Sequence, residues 1–353
     1  MSDSEKVNVY PSPHLRQMLN NDIELFEIFK KDRGESIMEI NTSGFMNKFL
    51  LGYFEKYKQE IGEYTADLDE HLKKAELKEY EINEIKNFLL NKIIFLEKND
   101  SPMNKCSSSK TTIPFKTNDN TTSIIQELNS GGLKGCSLSE YLCRMLKLYF
   151  KKPLYKREQI IFSKEYEAIF NNCKKQCIKF NYLYDNKEYT VVPYTIFTGK
   201  EQMFNYVFCY GFDSNKQVRT YSFRLNRISN IKPSYQTITC PDDIEEKFRL
   251  TKQLGASYAI NDTLEESCIL LNPQGISSFK HIYFGRPTVD SKKATPDGNF
   301  KYYFKCSTEQ LYRYFRRFNP GEAVVEYPAS LRDRIIEFHK ESLNGYKNLK
   351  VSE

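Results

Sequence analysis

The sequence predicts an α+β protein whose first part is mainly helical, whose middle forms a small bent sheet and whose last part mixes helices and strands. Three observations support this prediction. A helical pattern near the N-terminus is repeated, at residues 43–56 and 139–152. From residue 177 the apolar period changes to two, which is the period of a strand. After residue 240 helical and strand patterns alternate.

Composition places the chain among ordinary globular proteins. It has 353 residues, of which 40% are hydrophobic and 28% charged, so two to three domains are expected. No apolar run reaches the roughly 18 to 20 residues of a membrane span, and no membrane partner is expected. The first residues, MSDSEKVNVY, are polar and acidic rather than a secretory signal. The nine cysteines therefore indicate reduced thiols in a cytoplasmic protein.

Charge is distributed unevenly along the chain, although the net charge is only +6. Residues 1–100 carry 14 basic and 20 acidic side chains, whereas residues 151–232 carry 15 basic and 7 acidic ones. The segment between them has a net charge of +3 and the last segment +1. The excess of +8 in residues 151–232 is typical of a protein that binds a polyanion. A solvated charged face is the alternative interpretation.

The repeated N-terminal pattern has the spacing of a helix. The two copies align at a constant offset of 96, which pairs Phe45 with Tyr141. Apolar residues recur at i, i+4 and i+8, so they lie on one helix face. A serine or threonine at the start of each copy is a plausible N-cap, and Pro153 ends the second helix. A further helical region is expected between the copies, at about residues 67–97.

Short strand patterns precede both copies, at residues 6–10 and 110–116, and first helices follow at about 13–31 and 121–129. This repeated order of strand, helix and helix resembles the ribbon-helix-helix fold, in which two copies pair their strands into an antiparallel ribbon. The resemblance implies that the ribbon enters the major groove of duplex DNA and that the second helix binds phosphate at its N-terminus.

The candidate groove-reading residues lie on both strands. They are Lys6, Asn8 and Tyr10 on the first strand, and Lys110, Thr112 and Lys116 on the second. The second strand is the better candidate because the first lies in a net-acidic segment. The alternative is a dimerisation or scaffolding module that no longer reads DNA.

The basic middle segment predicts a small, strongly bent sheet or barrel. A helix is expected at about residues 163–175. Strands are expected at residues 177–184, 189–197, 204–212, 218–224 and 227–231. Turn residues separate the strands, as in Asp185-Asn186 and Thr198-Gly199. Five short strands after one helix are typical of a small barrel.

This segment resembles a WYL domain, which is an Sm-like small β-barrel, at several spaced positions. The matching positions are Tyr182, Pro193 and the closing stretch 223–228, Phe-Arg-Leu-Asn-Arg-Ile. The Trp-Tyr-Leu triplet that names the family falls on Asn205-Tyr206-Val207, so only the tyrosine is kept. The resemblance implies a sensor of nucleic acid or of a nucleotide-like ligand.

Tyrosines and arginines of this segment are the candidate nucleic-acid-binding residues. Rings on a curved sheet can stack on unpaired bases, and guanidinium groups bind phosphate. The candidates are Tyr182, Tyr206, Tyr210, Arg219, Arg224 and Arg227. The alternative is that the rings belong to the core and that the arginines form ion pairs with Asp213, Glu188 or Glu201.

The C-terminal third resembles the α/β extension that often follows WYL domains. Helices are expected from Pro241 to about residue 258, at 307–318 and from Pro328, and strands at 268–271, 281–285, 301–305 and 323–327. Three arginines on helix 307–318 are secondary nucleic-acid candidates, with a solvated helix face as the alternative: Arg313, Arg316 and Arg317. The expected domains are residues 1–155, 156–235 and 236–353.

No pattern in the sequence indicates catalysis. The four histidines are scattered, and Cys173 and Cys177 lack the second pair of ligands that a zinc site needs. There is no glycine-rich phosphate loop, HExxH or GxSxG motif. We therefore expect no catalytic residue, no metal ligand and no cofactor, and a protein that is not an enzyme.

The predicted order of modules is similar to that of the WYL-domain accessory proteins encoded beside type VI-D CRISPR effectors. The resemblance implies a homodimer that binds single-stranded RNA without cleaving it and enhances the RNA-guided RNase of its locus in antiviral defence. The alternative is a transcriptional regulator that binds duplex DNA through the ribbon-helix-helix module. Its WYL barrel would then sense a nucleic-acid-like ligand.

Overall fold

The computed structural model describes residues 5–30, 39–74, 77–89, 111–133, 136–198, 203–254, 264–282 and 285–347. In these ranges the chain is α+β, as the sequence predicts. It divides into two compact units, Met1–Lys164 (unit 1) and Glu165–Glu353 (unit 2). The three expected domains remain a prediction. Among the described helices, none is both long and apolar enough to cross a membrane.

Unit 1 is mainly helical in its described part. Its elements are β1 (Lys6–Val9), α1 (Pro13–Leu25), α2 (Thr42–Lys73), α3 (Glu79–Leu89), β2 (Ile113–Lys116), α4 (Asp119–Glu127), α5 (Leu138–Phe150) and α6 (Leu154–Ile161). Helix α6 was not expected from the sequence. Pro153 both follows α5 and stands at the N-cap of α6 with extended backbone, since proline is tolerated where a helix begins.

Strands β1 and β2 form a two-stranded antiparallel ribbon, in which Lys6 lies opposite Lys116. Equivalent serines of the sequence repeat hold the two ends of this ribbon. The Ser139 hydroxyl accepts the Tyr10 backbone N–H at 2.9 Å, and the Ser43 hydroxyl accepts the Lys116 N–H at 3.2 Å. A serine in each copy of the repeat is therefore hydrogen-bonded to the strand that precedes the other copy.

Aromatic rings from both copies of the repeat form part of the core of unit 1. Phe45, Phe49 and Tyr53 of α2 surround Tyr149 of α5, with ring centroids 5.3 to 6.3 Å apart. All four rings are buried. Tyr53 and Tyr149, which are equivalent in the repeat, thus pack against each other, and large rings contribute strongly to a core through the area they bury.

Unit 2 contains two sheets with helices packed on them. Helix α7 (Ser163–Asn172) begins at the unit boundary, and the remaining elements are β3 (Ile178–Tyr182), β4 (Lys187–Thr198), β5 (Asn205–Phe212), β6 (Val218–Arg224), β7 (Ile228–Pro233), α8 (Ile244–Leu254), β8 (Glu266–Leu271), α9 (Pro273–His281), β9 (Ser291–Ala294), β10 (Phe300–Lys305), α10 (Thr308–Phe315), β11 (Ala323–Tyr327) and α11 (Ala329–Lys347). The first sheet has the order β6-β5-β4-β3-β7 and the second β11-β8-β10-β9.

The first sheet is open, so the prediction of a closed barrel is wrong. Its edge strands β6 and β7 are not hydrogen-bonded to each other. The sheet nevertheless curls strongly, because Phe223 on β6 packs on Phe180 and Tyr182 of β3, at 5.1 and 4.8 Å between ring centroids. These bulky rings fill the concave side of the sheet between strands that are not neighbours.

The prediction of a strand at residues 281–285 is also wrong for the residues of this range that the structure describes. Residues 273–281 form helix α9, because Asn272 caps it and Pro273 occupies its first turn. The Asn272 side chain accepts the Gly275 N–H at 2.7 Å. Strand β9, which the sequence analysis missed, forms one edge of the second sheet. Its four residues are all exposed, so it lacks the apolar alternation that predicts a strand.

Candidate nucleic-acid interface

Within unit 2, the first sheet and helix α10 line a cleft of about 440 Å³, which we call the arginine cleft. Its lining residues are Tyr182, Tyr184, Asp185, Tyr206, Ser222, Phe223, Arg224, Arg227, Gly285, Gln310, Arg313, Tyr314, Arg316 and Arg317. Among these described residues, five are arginines and one, Asp185, is a carboxylate. The cleft is therefore strongly electropositive.

The sheet side contributes Arg224, the last residue of β6, and Arg227, the last residue of the short 3₁₀ turn that leads to β7. The Arg224 guanidinium lies 3.5 Å from the centroid of the Phe204 ring, and this side chain is largely buried. Arg227 lies 5.1 Å from the Tyr184 ring centroid. Aromatic faces favour a nearby cation, so both guanidinium groups are oriented by rings.

Helix α10 and the turn after it contribute the other three arginines. Arg313 donates to Glu309 at 2.6 Å and to the Tyr184 hydroxyl at 3.4 Å. Arg316 and Arg317 are exposed, and Arg317 lies 4.8 Å from the Tyr314 ring centroid. The helix thus presents arginines on the side of the cleft opposite those of the sheet.

Glu309 carries much of the compensating charge beside the cleft. Its carboxylate accepts from Arg313 and from Arg334 of α11, each at 2.6 Å. Burial raises the pKa of Glu309, but the hydrogen bonds from Arg334 and Arg313 outweigh it and hold the pKa below its ordinary value. Glu309 therefore stays ionised near neutral pH and fixes the direction of the Arg313 side chain.

The aromatic residues of the cleft differ in exposure. Tyr206 is only 3% exposed, whereas Tyr184 in the turn after β3 is 58% exposed. Tyr182 is partly buried, and its hydroxyl accepts the Arg224 backbone N–H at 3.5 Å. Burial raises the pKa of Tyr182, while the contacts with Arg224 and Arg227 oppose that rise. The phenol is therefore neutral at physiological pH.

Two of the six primary candidates lie outside the cleft. Tyr210 is buried in β5, whose faces are covered on both sides. Arg219 donates to Asp213 at 2.8 Å, so it forms the ion pair that was the alternative interpretation for this residue. The other four, Tyr182, Tyr206, Arg224 and Arg227, line the cleft. The fold brings them together with all three secondary arginines of α10.

The candidates on the N-terminal ribbon lie in unit 1. Lys6 and Lys116 face outward at opposite positions of the ribbon. The carbonyl of Thr112 accepts from Arg16 at 2.9 Å. Lys110 lies outside the described residues.

Sequence reasoning missed several residues of the cleft, of which Tyr184 is the most exposed ring. A signal was available, because Tyr184 follows Tyr182 by two and shares its face in the predicted strand. Asp185 was assigned only to a turn. Gln310 was not considered, and its amide donates to the Gly285 carbonyl at 3.4 Å.

A larger groove of about 760 Å³ lies elsewhere on unit 2. Its charged lining residues are Lys187, Lys216, Glu188 and Asp213. Because two lysines are balanced by two carboxylates, this groove does not favour a polyanion as the arginine cleft does. Among the residues the structure describes, no group of three or more His, Cys, Asp or Glu side chains is placed to hold a metal ion.

The fold of the chain is similar to that of a solved structure over nearly its whole length. The crystal structure of a CRISPR Cas-related protein aligns with a TM-score of 0.60 and 17% identity, covering 98% of this chain and 95% of that one. At this identity the likeness shows the fold alone. The proteasome accessory factor B/C (PafBC) of Arthrobacter aurescens aligns over 60% of this chain and 33% of that one at 17% identity, with a TM-score of 0.24 that supports no inference. No protein-family model and no curated protein matches the sequence.

Proposed function

We propose that this protein is a non-catalytic, single-stranded RNA-binding accessory protein of a type VI-D CRISPR system. In this proposal it enhances the RNA-guided RNase of that system and acts as a homodimer. Its modules are a tandem ribbon-helix-helix unit, a WYL domain with an open sheet, and the α/β extension. The observation that carries the proposal is the arginine cleft, in which five arginines and several rings converge.

The charge of the cleft supports an anionic ligand. Five guanidinium groups face one lining carboxylate, Asp185, and guanidinium forks bind phosphate oxygens strongly. The rings beside them suit unpaired bases, because base stacking on aromatic side chains is independent of sequence. A cleft of about 440 Å³ has room for a nucleotide-sized group.

The CRISPR association of the proposal is supported by the fold. The solved structure that matches this chain over nearly its full length is that of a CRISPR Cas-related protein. The resemblance of the sequence to accessory proteins of type VI-D loci points to the same context. On this basis we propose the RNA-guided RNase as functional partner and cytoplasmic RNA as ligand.

A titration of three nucleic acids tests the binding part of the proposal. Labelled single-stranded RNA, single-stranded DNA and duplex DNA of equal length are titrated with protein at two salt concentrations. We expect single-stranded RNA to bind most tightly, with an affinity that falls as salt rises. Tightest binding to duplex DNA would overturn the proposal.

Adding the protein to the RNase of its locus should raise the rate of RNA cleavage, while the protein alone should leave RNA intact.

The alternative function, a transcriptional regulator, is favoured by the ribbon of unit 1. Strands β1 and β2 pair antiparallel, and Lys6, Asn8 and Lys116 face outward from them. Such a ribbon fits the major groove of duplex DNA. The same titration separates the two functions, because the regulator requires preference for duplex DNA and loss of that binding on substitution of Lys116.

A further inference from the structure

Tyr184 is the ring of the arginine cleft that has surface left for a ligand. It is 58% exposed, whereas Tyr206, Phe223 and Tyr314 are each 5% exposed or less. A base can stack only on a ring whose face is accessible. Among the described aromatic residues that line the cleft, Tyr184 is therefore the most exposed.

The surroundings of Tyr184 orient it between the two sides of the cleft. Arg227 from the sheet side and Arg313 from α10 lie 5.1 and 5.7 Å from its ring centroid. Its hydroxyl accepts from Arg313 at 3.4 Å. The next residue, Asp185, is fixed by the Tyr189 hydroxyl at 2.6 Å and the Lys187 N–H at 3.2 Å. The turn that carries Tyr184 is therefore held in place.

We infer that Tyr184 stacks on one unpaired base of the bound strand while Arg227 and Arg313 contact the phosphates beside it. This inference rests on the proposed function and names the residue that selects single strands. Phosphate contacts alone do not report whether a base is paired, since single strands and duplexes present the same phosphate groups. A duplex base already has both faces stacked, so only an unpaired base gains from the Tyr184 ring.

Substitution of Tyr184 tests the inference. Y184A should weaken binding of single-stranded RNA at least about fivefold, the lower end expected for the loss of one stacked base. Binding of double-stranded RNA of the same length should change less than about twofold. Y184F keeps the ring and should stay within about threefold of the wild type for both RNAs. Equal loss for both RNAs with Y184A, or no loss for either, would overturn the inference.

A fluorescence measurement reports stacking directly, because the chain contains no tryptophan. In Y184W the single indole should be quenched when single-stranded RNA binds, since a base stacks on it. The matched control is Y235W, because Tyr235 is 99% exposed and does not line the cleft. Its fluorescence should not change, and binding by Y184W without quenching would contradict the inference. Failure of the wild type to bind single-stranded RNA would instead refute the proposed function.

Discussion

Both units place arginine side chains close to aromatic rings, but the two units differ in how many carboxylates accompany the arginines. In unit 1, Arg157 lies 5.6 Å from the Phe150 ring centroid and donates to both carboxylate oxygens of the buried Asp22, at 2.9 Å each. In unit 2, five arginines line one cleft with Asp185 as the carboxylate among the described lining residues. The first arrangement is a closed ion pair, whereas the second brings more arginines than carboxylates to the lining of one cleft.

This difference indicates that the rings and arginines have different roles in the two units. The Asp22 carboxylate also accepts from the Tyr149 hydroxyl at 2.8 Å, so its buried oxygens are satisfied by the protein itself. Burial raises the pKa of Asp22 more strongly than Arg157 and Tyr149 lower it. The role of this buried Asp22–Arg157 pair is therefore to stabilise the fold of unit 1. The arginine cleft instead gathers five arginines beside a single carboxylate, Asp185, among its described lining residues, so its lining has an excess of positive charge.

The largest expected effect is on the stability of unit 1. Asp22→Ala leaves the Arg157 guanidinium, which is 17% exposed, without its carboxylate. Breaking a buried ion pair by removing one partner costs about 3–5 kcal/mol. Chemical denaturation of the full chain should show this loss, and at low temperature the affinity for single-stranded RNA should be unchanged.

The control for this substitution is Glu39→Ala. Glu39 pairs with Lys30, and both side chains are more than half exposed, so stability should hardly change. A loss of RNA affinity in folded Asp22→Ala protein would contradict the assignment of RNA binding to unit 2.

The next effect is on RNA binding by unit 2. Reversing two charges on opposite sides of the cleft, in R227E/R317E, should weaken binding of single-stranded RNA by about 100-fold and lower its salt dependence. Both side chains are at least partly exposed, so the fold should be kept, which circular dichroism can verify. R224E/R227E should abolish binding, and because Arg224 is largely buried, circular dichroism must show that this variant is folded.

The matched control is R219E, because Arg219 lies outside the cleft and is paired with Asp213. Its affinity for single-stranded RNA should stay within about threefold of the wild type, since a distant charge is screened by salt. Equal losses for R219E and R227E/R317E would mean that general positive charge, not the cleft, binds RNA.

A smaller effect is expected on the ribbon of unit 1. K6E/K116E reverses two outward charges and should change the affinity for single-stranded RNA less than about twofold, because these lysines are not part of the arginine cleft. Electrophoretic mobility shift with single-stranded RNA and duplex DNA checks this. A large loss of RNA binding would place the RNA on unit 1.

The smallest effect is expected from pH. Arginine stays protonated, and burial raises the pKa of the Tyr182 phenol, so it stays protonated to higher pH than an exposed tyrosine. The described residues that line the cleft include no histidine. RNA affinity at constant ionic strength should therefore vary less than about twofold between pH 6 and 9. A transition centred near pH 6.5 would indicate a histidine at the site.

Local patterns predicted most elements of the fold. The period-two pattern predicted all five strands of the first sheet, and the repeat predicted the helices α2 and α5 of unit 1. Closure of the sheet was predicted wrongly, because it depends on how rings such as Phe180 and Phe223 fill the concave side. Alternation along a strand indicates which side chains share a face, but not how far the sheet curls.

The candidate site was predicted in two parts, a primary set of residues on the first sheet and a secondary set on helix 307–318. Arg224 and Arg227 belong to the sheet and Arg313 to α10, and nothing local in the sequence indicates that they meet. Tyr210 was selected by the same alternation as Tyr206, but β5 is a central strand. Phe248 of α8 packs on Phe208 of that strand, at 5.5 Å between ring centroids, and covers it. Such burial depends on contacts distant in sequence.

Photo-crosslinking tests the central claim, that RNA binds the arginine cleft of unit 2, most directly. Single-stranded RNA containing 4-thiouridine is crosslinked to the full chain, and the modified peptides are identified by mass spectrometry. We predict adducts within residues 182–185 and 310–317, and their loss in R227E/R317E. Adducts confined to the ribbon strands, at residues 6–9 and 113–116, would contradict the claim.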